Sequence, residues 1–174
     1  MFVGWGCYGL PEPPLAGGGG WWNTRRARHC NWVRLRDRKS GAEFRVLDIH
    51  LDHKSDDARR EQMKMIVGEC AQYADGSPQI ICGDFNSGIE NAPVACLRDA
   101  GWQEAYEAVH GPGEAGFTYH GFKGPDYRKK NARRIDFIFV RGNLQPVAAE
   151  ILRDKVDGLY PSDHYFLMSD FIIQ

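Results

Sequence analysis

The sequence predicts a mixed α/β or α+β fold, with sheets that cannot be purely parallel. Three observations lead there. A stretch of period-two alternation from Trp32 doubles back through a turn, which makes an antiparallel hairpin. An amphipathic helical segment follows and runs into a short β-prone strand, so strands and helices interleave. The chain has 174 residues, 43% of them hydrophobic, which suits one domain with one core.

Residues 1–20 read as an irregular leader and residues 21–174 as the domain. Pro11-Glu12-Pro13-Pro14 and the run Gly17 to Gly20 make neither a helix nor a central strand. The glycine run is not followed by Gly-Lys-Ser/Thr, so it is not a phosphate-cradling loop. Val33 and Leu35 then oppose Arg34 and Arg36, Lys39-Ser40-Gly41 makes the turn, and the second strand runs from Phe44 to Leu51. Ser55 caps a helix whose apolar positions Met63, Ile66, Val67, Cys70 and Ala74 recur at three and four residues, with Gly76 and Pro78 beyond its end. Gln79 to Cys82 is a short apolar strand. Pro93 in a first turn and Gly101 past an end bound a second helix at about residues 93–100. Further strands are expected at residues 134–140 and 165–173.

The net charge is −1, but it is unevenly spread: residues 21–45 and 123–134 are basic and the remainder is acidic. Local basic stretches on an acidic chain suit a phosphate-bearing partner approached at one place, and argue against a general polyanion binder. Five cysteines without C-x-x-C spacing signal neither a disulfide framework nor a zinc site. Cys70 and Cys82 read as small core residues. No apolar run is long enough for a membrane span and no signal peptide is present, so the chain reads as soluble and cytoplasmic.

Alternation puts Phe44, Val46, Asp48, His50 and Asp52 on one strand face, apolar first and then polar. The next strand runs into Gly83-Asp84-Phe85-Asn86, where Asp84 and Asn86 share a side and Phe85 turns to the core. In Arg134-Ile135-Asp136-Phe137-Ile138 an acid interrupts an apolar strand, and an ionised carboxylate there needs a partner. Arg134 and a histidine are the two choices. Ser162-Asp163-His164 immediately precedes the last strand, with Ser162 or Asp163 also suited to capping a turn. An H-x-x-H zinc pair of His50 and His53 is disfavoured, because three-residue spacing on a strand turns the rings to opposite faces. Histidines, carboxylates and an amide at strand ends, with no activated serine or cysteine, suit Mg²⁺ or Mn²⁺ and metal-assisted phosphoester hydrolysis.

His50-Leu51-Asp52-His53, Gly83-Asp84-Phe85-Asn86, Arg134-Ile135-Asp136-Phe137-Ile138 and Ser162-Asp163-His164, in this order, resemble the endonuclease/exonuclease/phosphatase superfamily. Trp22, Arg28 and Trp32 resemble the segment that enters the family's central hairpin, so the likeness covers about residues 21–174. It implies a deoxyribonuclease I-like four-layer sandwich of two mixed β-sheets flanked by helices. It also implies Mg²⁺- or Mn²⁺-dependent cleavage of phosphodiesters or phosphomonoesters. By resemblance, Asp84 would orient and deprotonate the attacking water, and Asn86 would hold the phosphate or that water. Asp163 would bind metal, and His164, held by Asp136, would stabilise developing charge or protonate. His50 and Arg28 would contact the phosphate.

The family's first strand, carrying an Asn, and a later strand with a metal-binding Glu have no counterparts here, so the fold is expected to be N-terminally incomplete. Uncovered apolar sheet surface would then favour a homodimer. Substrates implied by the resemblance are nucleic acids, phospholipid head groups or small phosphodiesters. The competing reading is a truncated, catalytically inactive relative that binds a phosphate-bearing ligand or partner. Tyr119, His120 and Phe122 beside the basic 123–134 stretch read as loop packing, with contact to a substrate as the alternative.

Overall fold

The computed structural model describes residues 1–10, 22, 24, 26–113, 116–127, 130 and 132–174. The hairpin forms as its alternation dictates: β2 (His29–Arg36) pairs antiparallel with β3 (Glu43–His50), with Val33 opposite Val46. Helix α1 (Asp56–Cys70) carries the chain over to β4 (Gln79–Asp84), which lies parallel to β3. Ser55 caps α1 by accepting a hydrogen bond from the Ala58 amide, and Asp56 and Asp57 place negative charge on its first turn. Helix α2 (Ala92–Asp99) follows, with Pro93 in its first turn.

The first twenty residues require a correction. Phe2–Gly9 form β1, an antiparallel partner of β2 at the edge of the sheet, where the expectation was an irregular leader. The Pro/Gly-rich stretch lies downstream of that strand, and residues 11–20 lie outside the described residues. Gly4, Gly6 and Gly9 dilute the strand signal, yet Gly6 is needed: a Cβ there would come within 2.7 Å of the Trp32 indole.

Three further elements carry little sequence pattern. They are β5 (Gln103–Glu104), α3 (Ala105–His110) and β7 (Leu144–Leu152). With β6 (Asp136–Arg141) and β8 (Phe166–Ile173) they complete a six-stranded mixed sheet, in the order β1-β2-β3-β4-β6-β5, and a two-stranded antiparallel sheet, β7-β8. Two sheets with helices is the α/β class expected, but only the large sheet is mixed; the small one has two antiparallel strands.

One face of the large sheet packs on α1 and α2 through Leu47, Ile49, Ile81, Phe137 and Phe139 against Met63, Ile66, Val94 and Leu97. Gly83, at φ +134°, lets β3 and β4 close here: a Cβ would lie 2.0 Å from the Ile49 carbonyl oxygen. The other face meets the small sheet through Ile80, Val140 and Leu144, with Phe171 and Ile173 packed against them. The small sheet covers that face only in part. Phe2 and Trp5 on β1 and Phe166, Met168 and Ile172 on β8 remain exposed. Uncovered apolar surface of this kind was expected.

Candidate active site

Register builds the site. In the β3–β4–β6 ladder, Val46, Ile80 and Val140 stand in one cross-strand row, Asp48, Cys82 and Ile138 in the next, and His50, Asp84 and Asp136 in the last. Rows two residues apart share a face, so this face runs from apolar to polar as the strands end. The result is a cavity of about 580 Å³ lined by His50, Asp84, Asp136, Asp163 and His164 among others.

His164 supplies the partner that Asp136 needs. Its Nδ1 lies 2.8 Å from Asp136 Oδ2. Arg134 is not that partner; it precedes β6 and forms a fully buried bidentate pair with Glu104, at 3.1 Å for both contacts. Ser162 makes the turn, its hydroxyl accepting from the His164 amide at 3.1 Å. Opposite, His50 Nε2 stands 3.4 Å from Asp84 Oδ2.

Asp84 is held from below. Phe85 is fully buried against Phe137 and Phe139, which anchors the strand end. Asn86 adopts φ +49° and its amide donates to Asp84 Oδ1 at 2.7 Å, while its Nδ2 donates to the Leu51 carbonyl at 3.0 Å. Asn86 therefore shapes the carboxylate as well as facing the site. Asp52 leaves the row expected for it: it is fully buried, and its Oδ1 accepts from the amides of Lys54 and Ser55, leading the chain into α1.

A second cavity, about 450 Å³, opens beside His164 and is lined by His53, Asn86, Tyr119, Tyr127, Ala132, Arg133, Ile135 and His164. Arg28 contacts its lining residue His53, with Nη2 3.2 Å from His53 Nδ1, while His50 faces Asp84, so the two histidines have separate partners. Tyr119 meets the His164 ring edge-on at 5.1 Å. Tyr119 thus lies beside His164, whereas His120 is buried against Tyr160 and Tyr165 and Phe122 is exposed.

Burial, reinforced by the negative charge of Asp136, raises the Asp84 pKa to about 6. The hydrogen bond to Asp136 raises His164 above its ordinary value against the effect of burial. Burial, with Arg28 and His164 nearby, lowers His50 and favours its neutral form. Burial also lowers the Arg28 pKa. Burial pushes the Cys82 thiol up to about 11 and that of Cys70 to about 12, which disfavours the thiolate form of both.

Among the described residues, Asp84, Asp136 and His164 are the group whose ligand atoms converge for a divalent cation, all within 4.8 Å of one another. Two carboxylates suit a hard cation, though His164 Nδ1 is already engaged with Asp136. Asp163 lines the same cavity but lies outside that group of three.

The sequence pattern of the endonuclease/exonuclease/phosphatase family matches residues 6–164, so the likeness begins upstream of residue 21. Nocturnin of Drosophila melanogaster is 26% identical over 190 residues, covering 86% of this chain and 28% of that protein. Among solved structures, the endonuclease/exonuclease/phosphatase from Bacteroides vulgatus superposes with a TM-score of 0.87 at 23% identity, covering 100% of this chain and 66% of that one. The Bacteroides thetaiotaomicron mannosyl-6-phosphatase superposes with a TM-score of 0.84 at 23% identity, covering 99% and 67%. The chain thus spans less than a third of its curated relative and about two thirds of these structures. With the fold, the row of polar strand ends and a match over nearly its whole length, the chain belongs to the endonuclease/exonuclease/phosphatase family.

Proposed function

We propose that the chain is a metal-dependent phosphoesterase that hydrolyses phosphodiester or phosphomonoester bonds by in-line attack of water. The observation that carries this reading is the row His50–Asp84–Asp136 with His164 bonded to its end. Asp84, ionised above about pH 6, accepts the proton of the attacking water. His164, whose protonated form is favoured by the hydrogen bond to Asp136, faces the negative charge that develops on the phosphoryl oxygens or the leaving oxygen. His50 and Arg28 contact the phosphate, and Asn86 holds Asp84 in place while facing the phosphate or water. Asp163, which lines the same cavity as Asp84 and Asp136, would hold Mg²⁺ or Mn²⁺, which when bound neutralises phosphate charge and activates water.

The candidate substrates are nucleic acids, phospholipid head groups and small phosphodiesters. A panel of an aryl phosphodiester, a single-stranded oligonucleotide and a sugar 6-phosphate, each with Mg²⁺, Mn²⁺ or EDTA, tests the reading. Turnover of at least one substrate that EDTA abolishes is expected. No turnover by folded protein supports the second reading, a non-catalytic module that binds a phosphate-bearing ligand. That reading draws on the small converging donor set, of which one member is engaged in a hydrogen bond. The exposed apolar strands further support a homodimer, which sedimentation at two concentrations checks.

A further inference from the structure

Thr118 touches both sides of the Asp136–His164 pair without belonging to either sheet. It is fully buried. Its Oγ1 accepts from the Ile135 amide at 3.1 Å and from the Asp136 amide at 3.3 Å, and its carbonyl accepts from the Tyr165 amide at 2.9 Å. The residues after it continue the contact: Tyr119 bridges His164 in antiparallel fashion, and the His120 and Gly121 amides donate to the Asp163 carbonyl at 2.8 and 3.0 Å.

The sheet leaves this place open. β5 pairs with β6 only at Phe139 and Val140, so the amides of Ile135 and Asp136 lie beyond the stretch it covers. A buried amide without an acceptor is costly, and the free backbone would shift to find one. The threonine hydroxyl stands where a longer β5 would have offered a carbonyl.

We infer that Thr118 is a positioning residue: its hydroxyl fixes the backbone of Asp136 and its carbonyl fixes that of the His164 turn, so that Asp136 Oδ2 meets His164 Nδ1. The catalytic consequence rests on the phosphoesterase reading above; the geometric part does not.

The test compares Thr118→Val, which keeps the shape and removes the acceptor, with Thr118→Ser, which keeps the acceptor. Three readouts apply: the hydrogen-bonded Nδ1 proton of His164 by NMR, amide exchange at Ile135 and Asp136, and steady-state kinetics. In the valine variant the Nδ1 resonance is expected to be lost, and kcat to fall roughly tenfold to a hundredfold with KM little changed, since small displacements of reacting groups cost that much. Serine is expected to restore both. Slow exchange of the two amides is expected in the unmodified chain, which needs no variant to fold. Rapid exchange there, or a valine variant that retains the resonance, would overturn the inference. If no phosphoester is turned over but the resonance responds to valine and returns with serine, the positioning role stands and the phosphoesterase reading falls.

Discussion

Asp136 and Arg134 lie two residues apart and have unrelated partners: Asp136 bonds to His164 at 2.8 Å, while Arg134 is buried in a bidentate pair with Glu104 and lies over the rings of Phe137 and Tyr106. One arrangement serves the site and the other holds β6 to the start of α3.

Replacing Arg134 with Ala should therefore destabilise the chain by about 3–5 kcal/mol, because it strands the buried Glu104 carboxylate. Turnover per folded molecule should be retained. Urea denaturation alongside kinetics at low temperature separates the two effects. A loss of activity without a loss of stability would mean that Arg134 is tied to Asp136 after all.

Replacing Asp136 with Asn should leave the fold intact and lower kcat by about two to four orders of magnitude, the usual worth of a positioned acid–base group. It removes the interaction that raises the His164 pKa, so the alkaline limb of the rate profile should move to lower pH. A profile that does not move would separate His164 from the rate.

Rate against pH should be bell-shaped in the unmodified chain. Asp84 must be ionised, so kcat/KM should rise through about pH 6. His164 must be protonated, so the rate should fall above a pKa higher than the ordinary histidine value. A rate that is flat from pH 5 to 7 would remove Asp84 from the role of base.

The raised Asp84 pKa also has a sign for stability. The folded chain holds this proton more tightly than the unfolded chain, whose group titrates near 3.8. Ionisation of Asp84 thus costs folding energy, progressively as pH rises through 3.8 to about 6, and in full above that. Asp84→Asn, whose side-chain oxygen still offers an acceptor to the Asn86 amide, should remove this cost and be more stable than the parent by about 1–3 kcal/mol at pH 8. Near pH 3.5 the difference should vanish. Equilibrium denaturation at the two pH values checks it, and a variant less stable at pH 8 would show Asp84 to be stabilised by its neighbours.

The hairpin, α1 with its Ser55 cap and the polar strand ends were legible because each rests on local periodicity: His50, Asp84 and Asp136 all sit where an apolar alternation breaks. The local pattern left the choice between Arg134 and a histidine as the partner of Asp136 open and only the family resemblance pointed to His164, since Glu104 is thirty residues from Arg134 and lies in a two-residue strand without pattern. Thr118 was obscured for the same reason: its contacts to β6 and to the His164 turn are tertiary, and the segment itself alternates too briefly to read. β1 was missed because glycines interrupt it and the nearby Pro/Gly run dominates the local composition. Asp52 left the predicted row because the strand ends at His50 and the carboxylate serves the turn into α1.

The most direct measurement is hydrolysis of an aryl phosphodiester by the purified chain with Mg²⁺ and Mn²⁺, beside His164→Ala of equal foldedness by circular dichroism. Metal-dependent turnover that falls at least a hundredfold in the variant is the expected result. Equal turnover in the two proteins, or none in either, would contradict the assignment of catalysis to the Asp84, Asp136 and His164 constellation.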